Sequence, residues 1–187
     1  MLLVETGSYS ESTFLDRDDV VLAGSEIATM NDEREGMCPV VDLEASVKTI
    51  EAVRDLVFLQ MQKQVSDRSL NAIHDVSKGG LFTTLCEMAT SSGCGFEAAI
   101  DTEAPALWSL FAEGPGRFIL AVKKDQLNEV ISSFGENVSA KVIGRAVQNE
   151  DMNNAIFTQG SEKIIELPIS EIQETLSTSL DKAINAH

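Results

Sequence analysis

The stretch His74-Asp75-Val76-Ser77-Lys78-Gly79-Gly80-Leu81 decides how the rest of this chain is read. Before it, Leu70 to His74 is short and partly alternating, as a strand is; after it, Leu81, Leu85 and Met88 recur at i, i+4 and i+7, as on one helix face. The pattern predicts strand, loop and helix, with Gly79-Gly80 at the joint. The helix is expected to stop between Ser91 and Gly95, because Gly93 and Gly95 accept positive φ without a Cβ penalty. A strand over Phe96 to Ile100 follows.

Working outward, Leu43, Val47, Ile50, Val53, Val57 and Met61 recur at steps of three or four, predicting a helix with Asp42 as its N-cap. Leu2 to Val4 is a short strand, Thr6 to Asp19 a mobile acidic connection, and order resumes at Val20 to Ala23. On the other side, Ala104 to Glu113 is expected to be helical and Gly114-Pro115-Gly116 to break it. The run Phe118-Ile119-Leu120-Ala121-Val122 suits a buried strand. Asp125 to Phe134 reads as a helix and Lys141 to Val147 as a strand. Ala155 to Thr158 and Lys163 to Leu167 form a hairpin across Gly160-Ser161, and Ser170 with Gln173 makes a capping box for a last helix. Helices alternate with strands, some of them hairpin-linked, so the expected class is α+β: a mixed sheet covered by helices rather than a doubly wound parallel sheet.

The 187 residues suit one domain, long enough to bury roughly 70% of the unfolded chain's surface. With 30 acidic against 14 basic residues, the formal charge of −16 opposes attraction to nucleic acid or to an anionic membrane. No apolar run reaches membrane-spanning length, and the start lacks the basic and apolar segments of a signal peptide. Cys38, Cys86 and Cys94 contain no C-x-x-C pair and cannot all pair within the chain, which points to a reducing, cytoplasmic setting, with Cys86 in the core. Only His74 and His187 are available as imidazole ligands, which argues against structural zinc.

Three segments carry candidate chemistry. Ser77-Lys78-Gly79-Gly80 leads into a helix whose first N–H groups need partners, so the backbone and Lys78 can cradle a phosphate. The competing structural reading is a capped helix start, with Asp75 or Ser77 as cap and the glycines serving the turn. Glu113-Gly114-Pro115-Gly116-Arg117 places an acid and a guanidinium around a constrained loop, suited either to anion recognition or to a local ion pair. Gly24-Ser25-Glu26 is a third candidate, equally readable as a capped turn. A nucleophilic triad of His74, Asp75 and Ser77 is disfavoured, since neighbours on a strand face opposite ways and Ser77 lacks the G-x-S-x-G setting. Met88, Trp108 and Phe111 lie on apolar helical patterns and read as packing; Asp16, Asp18 and Asp19 read as a solvated loop rather than an Mg²⁺ site.

Taken in order, these segments resemble the second aminoimidazole-ribonucleotide-synthetase-like half of the phosphoribosylformylglycinamidine synthase family. Leu3-Val4-Glu5-Thr6 is similar to its Gly-Glu-Thr strand end, Gly24-Ser25-Glu26 to its Gly-Gly-Ser-Glu, and Val41-Asp42-Leu43-Glu44 to its Val-Asp-Leu-Glu. His74 to Leu81 carries the strongest likeness. Glu87-Met88-Ala89 and Gly93-Cys94-Gly95 follow at the family's spacing, and Phe111 to Phe118 resembles its Phe-Ser-Glu-Ser-Pro-Ser-Arg-Phe. Three residues depart: Lys78 stands where the family has an acid, and Gly114 and Gly116 where it has serine.

The resemblance implies an aminoimidazole ribonucleotide synthetase C-terminal-domain-like fold and a share in an ATP-dependent ligase of purine biosynthesis. That enzyme converts formylglycinamide ribonucleotide to the amidine, ATP activating the amide oxygen as an iminophosphate that ammonia displaces. ATP and Mg²⁺, and the catalytic histidine, are then held mainly by N-terminal domains not seen here, so this chain alone is expected to be inactive, with no catalytic residue or metal ligand of its own. Partners would be the missing ATP-binding domain, the first half of the synthase, and glutaminase and small subunits supplying ammonia. Ser77, Lys78, Gly79, Gly80, Glu113, Gly114, Arg117, Gly24 and Ser25 would face phosphate, nucleotide or substrate. The alternatives are a non-catalytic nucleotide-binding or assembly module, or the same domain of an aminoimidazole ribonucleotide, selenophosphate, thiamine-monophosphate or hydrogenase-maturation enzyme.

Overall fold

The structure, a computed structural model, describes residues 1–7, 42–100, 105–135, 138–148 and 153–185. In chain order the described elements are β1 (Leu2–Gly7), α1 (Leu43–Gln62), β2 (Leu70–Asp75), α2 (Gly80–Ser92), β3 (Gly95–Ile100), α3 (Ala106–Phe111), β4 (Phe118–Val122), α4 (Leu127–Ser133), β5 (Ser139–Val147), β6 (Asn154–Gln159), β7 (Glu162–Pro168) and α5 (Ile169–Asn185). The strands form one seven-stranded sheet in the order β2-β4-β1-β5-β3-β6-β7. Every neighbouring pair is antiparallel except β3 and β6, so the sheet is mixed, as expected.

β4 shows how the layers arise. Its five apolar residues alternate sides: Ile119 and Ala121 join one core cluster, Leu120 and Val122 the other. Leu81, Leu85, Cys86 and Ala89 of α2, Leu110 of α3 and Ile169 and Ile172 of α5 cover the first face. Val53 and Leu56 of α1 and Val130 of α4 cover the second. A strand packed on both sides reads as a continuous apolar run, which is why this one was visible in the sequence. Phe157 ties β6 into the first cluster, with its ring 5.4 Å from Phe82 and 5.1 Å from Phe96.

Several boundaries move. β1 continues through Thr6 and Gly7, which pair with β5, so the connection expected from Thr6 cannot begin there; its remainder, with Val20 to Ala23 and Asp16, Asp18 and Asp19, lies outside the described residues. The helix expected from Ala104 shrinks to Ala106–Phe111, entered through Pro105, whose carbonyl accepts the Ser109 N–H at 3.1 Å. The capping box at Ser170 does not start α5. The Ile169 N–H donates to the Asn153 carbonyl at 2.9 Å, so the β6–β7 ladder runs straight into the helix and Ser170 falls in its first turn.

α1 is capped as read, with the Ala45 N–H donating to the Asp42 carboxylate at 2.9 Å. The stripe that revealed it is buried only in part: Val53 faces inward with Ser46, Thr49, Leu56 and Gln60, whereas Leu43, Val47, Ile50 and Met61 are exposed. The buried polar groups have partners, Thr49 on the Ala45 carbonyl and Gln60 on the Ser69 N–H at 2.7 Å. Among the described residues no helix is long and apolar enough to cross a membrane.

Cys86 sits in the core as expected, 2% exposed, and burial pushes its thiol up to about 12 from the usual 9.0, with Glu87 adding repulsion. Because the unfolded thiol ionises near 9 and the folded one near 12, its contribution is complete below pH 9 and declines as pH rises through that interval. Urea unfolding of wild type and Cys86→Ala at pH 8 to 11 should show wild type losing stability relative to the variant by up to ~1.4 kcal/mol per pH unit above 9. A pH-independent difference would contradict this burial.

Candidate functional site

Two loops meet at one corner of the sheet: residues 76–79 between β2 and α2, and residues 112–117 between α3 and β4. The Val76 N–H donates to the Arg117 carbonyl at 2.9 Å, continuing the β2–β4 ladder past Asp75 and Phe118. Across the gap the Gly79 N–H donates to Glu113 Oε1 at 2.9 Å. Within the second loop, Arg117 Nη1 donates to the Ala112 carbonyl at 2.9 Å and ties the loop's two ends together. The structure thus brings the segments Ser77–Gly80 and Glu113–Arg117 together, although 34 residues separate Gly79 from Glu113.

The glycine pair is explained by this meeting. Gly79 and Gly80 have φ of 76° and 65°, values that side-chain-bearing residues rarely adopt. A Cβ on Gly80 would lie 2.7 Å from the Leu110 carbonyl oxygen and 2.7 Å from the Phe111 carbonyl carbon, so α2 seats its first turn directly on the end of α3. A Cβ on Gly79 would run into the Thr83 hydroxyl. The expected caps do not form: Gly79 itself is the N-cap of α2, without a side-chain cap bond, and the Ser77 group that serves the turn is its carbonyl, accepting the Gly80 N–H at 3.0 Å. Glu113 supplies the negative charge that a helix start favours.

This changes what the corner can do. One N–H of the proposed phosphate cradle already holds a carboxylate, so an anion arriving there meets Glu113 as well as the helix dipole. Lys78 and Arg117 put positive charge on the same two loops. Gly114 lies on the second loop between Glu113 and Arg117, while Gly24 and Ser25 lie outside the described residues. Among the described residues no three His, Cys, Asp or Glu side chains are grouped to hold a metal ion.

His74 is held more closely than strand alternation predicts. Its Nδ1 lies 2.7 Å from the Asp75 carbonyl oxygen and 3.5 Å from the Asp75 carboxylate, and its Nε2 lies 3.3 Å from Glu87 Oε2 on α2. The imidazole therefore bridges β2 and α2, a positioning contact that sequence reading missed because its partner Glu87 is 13 positions away on a helix; the i+13 spacing gives no local signal. Phe111 packs against Phe82 at 5.2 Å and Met88 packs on the first cluster, both as read.

The sheet, its two helical layers and this corner define an α+β domain of the aminoimidazole ribonucleotide synthetase C-terminal type. The chain belongs to the family described as AIR synthase related protein, C-terminal domain, whose model matches residues 6–153. It is 33% identical over 158 residues, 81% of this chain, to the phosphoribosylformylglycinamidine synthase subunit PurL of Thermococcus sibiricus. It is 32% identical over 134 residues, 70% of this chain, to PurL of Bartonella tribocorum. It spans only 20% and 17% of those two proteins. In fold it matches the structure of T. maritima PurL complexed with ATP, with a TM-score of 0.67 at 12% identity over 92% of this chain and 25% of that one. E. coli HypE matches with a TM-score of 0.53 at 18% identity, over 90% of this chain and 49% of that one.

Gly80→Ala combines left-handed strain with a backbone collision and should cost at least ~3 kcal/mol in urea unfolding, whereas Gly93→Ala, with φ 68° but nothing within 4 Å, should cost ~1 kcal/mol. Equal losses would show that α2 does not rest on α3 in this way.

Proposed function

We propose that this chain is the C-terminal synthetase-like domain from the second half of a phosphoribosylformylglycinamidine synthase, an ATP-dependent carbon–nitrogen ligase acting in cytoplasmic purine biosynthesis. The observation that carries the proposal is the 33% identity to a PurL subunit across 81% of the chain. The reaction would form formylglycinamidine ribonucleotide from formylglycinamide ribonucleotide. T. maritima PurL was solved with ATP and with FGAR, and in a PurLQS assembly, which supports nucleotide, substrate and companion subunits as partners for this chain's parent enzyme.

The residues in hand do not by themselves fit Mg²⁺-ATP: no acidic group of three is available among the described residues, and Glu113 faces the start of α2. In this reading ATP and Mg²⁺ reside on a companion ATP-binding domain, and the single domain of this chain is inactive alone. Its contribution is the corner built from Ser77, Lys78, Gly79, Gly80, Glu113, Gly114 and Arg117. There Glu113 holds the two loops in register while Lys78 and Arg117 supply positive charge towards a phosphorylated ligand. The Glu113 contact equally supports a second reading, in which the corner serves only packing against companion domains.

Calorimetry on the chain with formylglycinamide ribonucleotide separates the two. The ligand-facing reading expects binding that weakens ~10-fold or more in Lys78→Ala and Arg117→Ala, with parallel losses in the assembled synthase. Absence of binding together with unchanged activity of the assembled variants would leave only the packing role.

A further inference from the structure

We draw no further inference here: the strongest candidate, the exposed apolar row of Leu43, Val47, Ile50, Phe58 and Met61 along α1, is interrupted by Arg54, and nothing in the structure shows what covers it.

Discussion

The contact between the Gly79 N–H and the Glu113 carboxylate closes the arrangement on which the rest of this domain depends. β2 and β4 are neighbours in the sheet, and each runs at this end into a loop adjoining a helix on the same face. For both helices to lie against the sheet, the start of α2 and the end of α3 must approach to backbone contact, which only a residue without a side chain permits at position 80. That approach leaves a helix start needing acceptors, and Glu113 meets one of those donors from the adjoining loop. A charge-assisted bond of this kind contributes about 1.5–3 kcal/mol, and here it also fixes the relative position of two loops distant in sequence.

The same constraint links fold to site. A corner with Glu113 bonded to the start of α2 differs from an open glycine cradle: the Gly79 N–H is already committed to a carboxylate, and Arg117 to the Ala112 carbonyl. His74, bridging to Glu87, reinforces the joint from the strand side. The histidine is thereby bound into the architecture between two acids, Asp75 and Glu87.

Much of the fold was legible because its signals are local. The apolar run Phe118–Val122 announced a strand buried on both faces, the Gly160-Ser161 turn announced the β6–β7 hairpin, and Asp42 announced the start of α1. What sequence could not supply were pairings across long separations. β1 inserts between β4 and β5, and its extension through Thr6 and Gly7 depends on Ala140 and Ser139, far along the chain. The facing of α1 was hidden for a related reason: periodicity reports that a helix has an apolar stripe, and only packing decides whether that stripe meets the sheet. The loops were recognised singly, but Gly79 and Glu113 meet only once the helices are placed.

The central claim is that Glu113 occupies the helix start, and amide hydrogen exchange at Gly79 tests it directly. In wild type the Gly79 amide should be protected, and in Glu113→Ala its exchange should accelerate ~10-fold or more while the Val76 amide, bonded to the Arg117 carbonyl, keeps its protection. A Gly79 amide that exchanges at the same rate in both proteins would contradict the account.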